Sequence, residues 1–208
     1  MFRSNTFLSK VVAGALGAVA LTSIATAAPA TFDIDSAHSS VQFSVRHLMI
    51  SNVRGEFTKV TGTVVYDPDD LKASSVEAHI DISTINTREP KRDADLKGPE
   101  FFDAAKYPAM TFKSTELRRS SGKLQILGDL TMHGVTKPVV LDVDGPTQEI
   151  KDARGKTRFG ASATTKINRT DWGLTWNRIL ETGGVTVGEE VTITLDIEAV
   201  KRISSGNN

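Results

Sequence analysis

Four histidines, His38, His47, His79 and His133, are the first side chains to test for chemistry. None stands in an HxH or HExxH arrangement, so the ligand spacing of a zinc site is absent. His79 shares a strand face with Glu77 and Asp81, a set that reads as a solvated outer face and would hold a cation only if recessed. His133 lies in "MHGVTKP", where Gly134 and Pro138 mark a turn. His47 follows an apolar strand and enters the first irregular crossing, either as a hydrogen-bonding corner residue or as a general base. A nucleophile would need an elbow, and no G-x-S-x-G is present. Phosphate-cradling glycine loops are also missing, since "ETGGVTVGEE" lies between strand signals and reads as a turn. The chain has no cysteine, which excludes thiolate metal sites, a thiol nucleophile and disulfides.

The elements that would position any site alternate with period two. Phe32 and Ile34 open the series, followed by Val41, Phe43 and Val45, then by "TGTVVY" before the turn cluster "DPDD". Val76, Ala78, Ile80 and Ile82 oppose Glu77, His79 and Asp81, and Met110 with Phe112 mark another strand. Leu124, Ile126, Gly128, Leu130 and Met132 share a face, as do Val139, Leu141 and Val143. Phe159, Ala161, Ala163 and Ile167 line the next strand, and Val191, Ile193, Leu195 and Ile197 the last. About eight one-sided strands predict an all-β fold with short helices, an antiparallel sandwich or barrel with one wet surface.

Two stretches break the alternation. "RHLMISNVRGEF" (46–57) links two early strands and is read as a crossing with a short helix. The segment 83–108 is longer than an ordinary strand connection. Pro90 and Pro99 suit first helical positions, which predicts one or two short helices over an end of the sheet. Phe101, Phe102 and Leu96 would then point inward, as a lid or as a core plug.

The first residues are set aside. Arg3 and Lys10 precede an apolar run of 14 residues, Val11 to Ile24, and Ala25 and Ala27 give an A-x-A pattern. This is a signal peptide, too short for a bilayer span, with cleavage expected after Ala27 and a periplasmic destination. Residues 28–208 form one domain of 181 residues. Losing two of 25 basic residues against 25 acidic ones leaves a charge of −2, with no basic stripe, so nucleic acid is not an expected partner.

An eight-stranded barrel is just filled by side chains or holds one small ligand. Ala78, Gly128, Ala161 and Ala163 among the bulky inward residues leave apolar room, or fit a taper. Strand parity puts Phe43, Val45, Ile80, Phe112, Ile126, Leu130, Leu141, Ala163 and Ile193 on the tunnel wall.

"FSVRHLMISNVRGEFTKVTGTVVYD", "RDADLKGPEFFDAAKYPAMTFKS", "LGDLTMHGVTKPV" and "INRTDWGLTWN" resemble, in order, the motifs of the YceI-like family of exported lipid-binding proteins, from Phe32 to about Val200. The resemblance implies an extended, eight-stranded, lipocalin-like antiparallel barrel over 28–208. It also implies a periplasmic carrier or store for a polyisoprenoid such as an isoprenoid quinone or polyprenol, with no enzymatic cofactor. Carried over residue by residue, it adds His47, Phe101, Phe102, Trp172 and Trp176 to the ligand-contacting set, with His47 meeting a polar head at the mouth. Transient contact with a membrane or membrane protein, and a homodimer, stay open as partners. Two rival readings also stay open: an isoprenoid-modifying or hydrolytic enzyme using His47 with Asp93, and an interaction module with a filled core.

Overall fold

The computed structural model describes residues 29–181 and 183–203; the signal peptide expected over 1–27 lies outside them. The chain closes an antiparallel barrel of eight wall positions, three of them broken midway into two strands. The first position is β1 (Ala30–Ile34) followed by β2 (Ser40–His47). The second is β3 (Ser51–Phe57) followed by β4 (Val60–Tyr66). The third is β5 (Ser75–Asp81) and, after a turn of 3-10 helix at Ile82–Thr84, β6 (Ile85–Asn86). Each half pairs with the corresponding half of its neighbour: β4 with β1 and β5, β3 with β2 and β6.

The remaining wall consists of β7 (Ala109–Ser120), β8 (Lys123–Met132) and β9 (Val135–Asp144), then β11 (Thr157–Asn168) and β12 (Val187–Lys201); the short β10 (Ile150–Lys151) flanks β11. Closure falls on β12. One edge pairs with β11 from Arg158↔Val200 to Asn168↔Glu190. The other pairs with β1 (Phe32↔Lys201) and β2 (Phe43↔Ile193). Alternation explains the registry: on β9, Val139, Leu141 and Val143 are buried while Val140, Asp142 and Asp144 are exposed.

The crossing at 46–57 departs from the sequence reading, since it contains no helix. β2 runs on to His47, turns through Leu48 and Met49 in left-handed backbone (φ 49° and 61°), and returns as β3. Val53, Gly55 and Phe57 keep period two, but Gly55 has no side chain to show it. A Cβ there would lie 2.5 Å from the tip of the Phe43 ring, which uses the space.

In the long segment one helix forms, α1 (Pro90–Lys97), with Pro90 in its first turn and the Glu89 carboxylate accepting from Lys91 N at 3.2 Å. Pro99 starts no helix. Gly98 N bonds back to Asp95 O, and the chain continues in turns that hold Phe101 and Phe102.

The break between β1 and β2 is pinned on the outer wall. Arg158 donates to Asp35 at 2.6 Å, Glu198 at 2.5 Å and Asp152 at 2.7 Å. The Arg158 guanidinium, and then His38, hold the Asp35 carboxyl down at about 2.

Candidate functional site: an apolar cavity in the barrel

The inward side chains of all eight wall positions surround a cavity of about 260 Å³. One end of the barrel is filled by Phe32 and Phe159, stacked edge-to-face at 4.7 Å, with Ala199 beside them. At the other end α1 and residues 98–108 lie across the opening. Phe102 meets Phe57 edge-on at 5.6 Å, and Phe101 packs on Trp176 at 5.1 Å. The cover therefore touches the wall through one phenylalanine and the β11–β12 connection through the next.

The broken wall strands contribute Phe43, Val45 and Ile80 to the cavity, and β7 to β9 contribute Phe112, Ile126, Leu130 and Leu141. Ala163 and Ile193 complete the wall on β11 and β12, and Phe101 and Phe102 reach it from the cover. Residues passed over by the sequence reading, notably Phe57, Val60 and Leu117, also line it. Phe57 was hidden by the assignment of its segment to a crossing, whereas the bulge between Ser114 and Glu116 breaks the parity of Met110 and Phe112 and turns the odd-numbered Leu117 inward.

Three expected contact residues stand outside the lining. His47 ends β2 opposite Val187 and Ser51 and does not border the cavity. Trp172 is buried in the same core cluster as the lining without bordering the cavity, and its indole N–H donates to Leu130 O at 3.0 Å. Trp176 reaches the site only through Phe101. Gly128 likewise leaves no room, because the Phe112 ring lies over it.

Polar side chains on the lining are few: Gln42, Tyr66, Thr165 and Arg169. Arg169 is buried, and its guanidinium is spent on backbone: Nε donates to Gly188 O at 2.9 Å, Nη2 to Val187 O at 3.2 Å and Nη1 to Leu174 O. Burial pulls its pKa down, and among the described residues no carboxylate lies within ion-pair distance. It clamps the 169–187 connection to the barrel rim.

Among the described residues no acid–base pair lines the cavity. Asp93 accepts from Thr87 N at 2.8 Å and Thr87 Oγ1 at 2.5 Å, beside Gly55 and Phe43. His47 is four residues further along β2, about 13 Å at ~3.3 Å per residue. Among the described residues the one cluster with metal-ligand atoms is Asp35, His38 and Glu198, and the Arg158 cation already bridges its two carboxylates. On the outer wall Glu77 pairs with Lys113 at 2.8 Å, and Asp81 pairs with Lys59 and caps Ser83. The interior is suited to excluding water and burying hydrocarbon.

Comparison with known proteins places this geometry. The YceI-like domain profile matches residues 32–199. A UPF0312 protein of Vibrio cholerae is 39% identical over 166 residues, 77% of this chain and 86% of the relative. The Campylobacter jejuni YceI protein superposes with a TM-score of 0.63 at 30% identity, covering 76% of this chain and 90% of its own. A polyisoprenoid binding domain from Saccharophagus degradans superposes at 0.59 with 14% identity, covering 82% and 98%, a likeness of fold.

Proposed function

This chain belongs to the YceI-like family, and on that footing we propose that it is a lipid-binding protein whose barrel sequesters or carries one long apolar chain without altering it. The observation that carries the reading is the cavity wall, which draws apolar side chains from every wall position and sets no opposed titratable groups around the interior. Each methylene moved from water into such a space contributes about 0.8 kcal/mol. Roughly ten of them offset much of the association cost of about 4–15 kcal/mol. A polyisoprenoid tail, of a quinone or a polyprenol, is the chain we favour, and the name of the Saccharophagus degradans neighbour supports that class. The N-terminal pattern supports export to the periplasm with cleavage after Ala27. In this reading Phe101 and Phe102 cover the bound chain and no cofactor takes part.

Mass spectrometry of the protein purified without detergent, run natively and after organic extraction, tests the proposal. The expected result is a stoichiometric long-chain species released on denaturation. A protein that carries none, and takes up no added quinone, polyprenol or fatty acid, would overturn it.

A further inference from the structure

Among the described residues, seven large apolar side chains are exposed, and four of them share one place. Leu48, Met49 and Ile50 form the tip of the β2–β3 hairpin, and Ile179 stands on the β11–β12 connection, where it bridges to Val185. Leu48 N donates to Thr186 O at 2.8 Å, so the two tips stand side by side as one surface. Ile50 is 76% exposed and Ile179 87%. The tips rise at the covered end of the barrel, and Trp176, which packs on Phe101, lies on the same connection as Ile179.

Folding does not account for these residues. Leu48 and Met49 occupy consecutive left-handed positions, and Ile50 N bonds to His47 O at 3.1 Å, which makes a type I′ turn. Asn-Gly is the pair that such a turn favours. Here two bulky apolar residues accept backbone strain and exposure to water together, a combination that points to use of the surface. The two tips carry two arginines against one acid. Arg46 donates to Met49 O at 3.2 Å and Arg178 stands over the Trp176 ring at 5.8 Å. Neither has a carboxylate partner among the described residues, and Glu181 is the one acid on the two tips.

We propose that the paired tips Leu48–Ile50 and Ile179 dock this end of the barrel on a lipid bilayer bearing anionic headgroups. The apolar side chains enter the interface, Trp176 sits at headgroup level and the two arginines face the lipid charge. Continuity with the cover, through the Phe101–Trp176 contact, places the bilayer against the mouth through which a lipid would pass. Docking and cargo are separate properties, so vesicle binding can fail while extraction still yields a bound lipid, and the reverse.

The test uses the protein purified after export, without the apolar run at 11–24, and takes advantage of its lack of cysteine. An environment-sensitive fluorophore is attached at Ile50→Cys, or at Ile150→Cys on the short β10 as a control. Vesicles of phosphatidylcholine with or without phosphatidylglycerol are then added. The label at 50 is expected to shift to the blue with the anionic vesicles, less so at high salt, while the label at 150 does not respond. Leu48→Asn with Met49→Gly, which restores the favoured turn, is expected to melt no lower than the parent. With Ile50 labelled, it should need about tenfold more lipid for the same response. Equal responses from both labels, no response from either, or an unaffected double variant would overturn the proposal. A dimer that forms through position 50 in solution, without any vesicle response, would overturn it in favour of a second copy of the chain.

Discussion

The far edge of the Phe112 ring lies against the backbone of Gly128 on the neighbouring strand, so that a Cβ on Gly128 would stand 2.5 Å from Phe112 Cζ and 2.6 Å from Lys113 O. The glycine is a socket for the ring, and the ring brings a large apolar surface to the cavity wall. Gly128→Ala is therefore expected to destabilise the barrel by about 1–3 kcal/mol, because one of the clashing atoms is backbone and cannot swing aside. Urea denaturation measures it; an unchanged midpoint would show that Phe112 has another rotamer available.

Ala163 is the small wall residue with the opposite meaning. It lines the cavity as part of the buried core. Ala163→Phe should remove most lipid loading while the protein still folds, at a cost of up to about 3 kcal/mol from overpacking. Loading is read by extraction and mass spectrometry beside a melting curve. Full loading in a folded variant would mean that the lipid does not pass this part of the wall.

Release should depend on Trp176. Its contact with Phe101 is the link between the cover and the β11–β12 connection, and such aromatic pairs are worth about 0.5–1.5 kcal/mol. Trp176→Ala is expected to raise the dissociation rate of a bound fluorescent polyene up to about tenfold, with little change in melting temperature. Stopped-flow transfer to acceptor vesicles gives the rate; an unaltered rate would make Phe101 and Phe102 a fixed plug.

Acid should loosen the break between β1 and β2. Asp35 is held at about 2 by Arg158 and His38, below the value near 3.9 of an unfolded chain. A depressed carboxyl adds stability above the unfolded value, and that stability is lost as the pH falls from about 4 to about 2. The stability difference between the parent and Asp35→Asn should then be full at pH 6 and shrink progressively below about pH 4. Denaturant titrations across that interval decide the matter, and a difference independent of pH would assign the pinning to geometry instead of charge.

Period two was enough to put nine wall residues, from Phe43 to Ile193, on the cavity side, because a strand with one wet face declares its inner face at every second position. It failed where the pattern depends on a missing side chain. Gly55 erased the strand around it and, with it, Phe57, while Gly128 looked like space although it was occupied. Trp172 and Trp176 were out of reach for another reason: their neighbours, Leu130 and Phe101, lie 42 and 75 positions earlier, and no local pattern carries that information. Resemblance to the family placed both tryptophans near the ligand, and the structure buries Trp172 in the core against Leu130 and sets Trp176 against the cover.

The wall closes between its first strand and its last, Phe32 opposite Lys201. No shorter length of the chain can form the ring, so a polypeptide emerging residue by residue has every other strand ready and still lacks the seam. Such a protein assembles late and all at once, as expected where the decisive contacts join opposite ends of the sequence. Until then its edge strands and its greasy inner faces are open to other molecules. The apolar inner surface is thus exposed most fully before the barrel that encloses it exists.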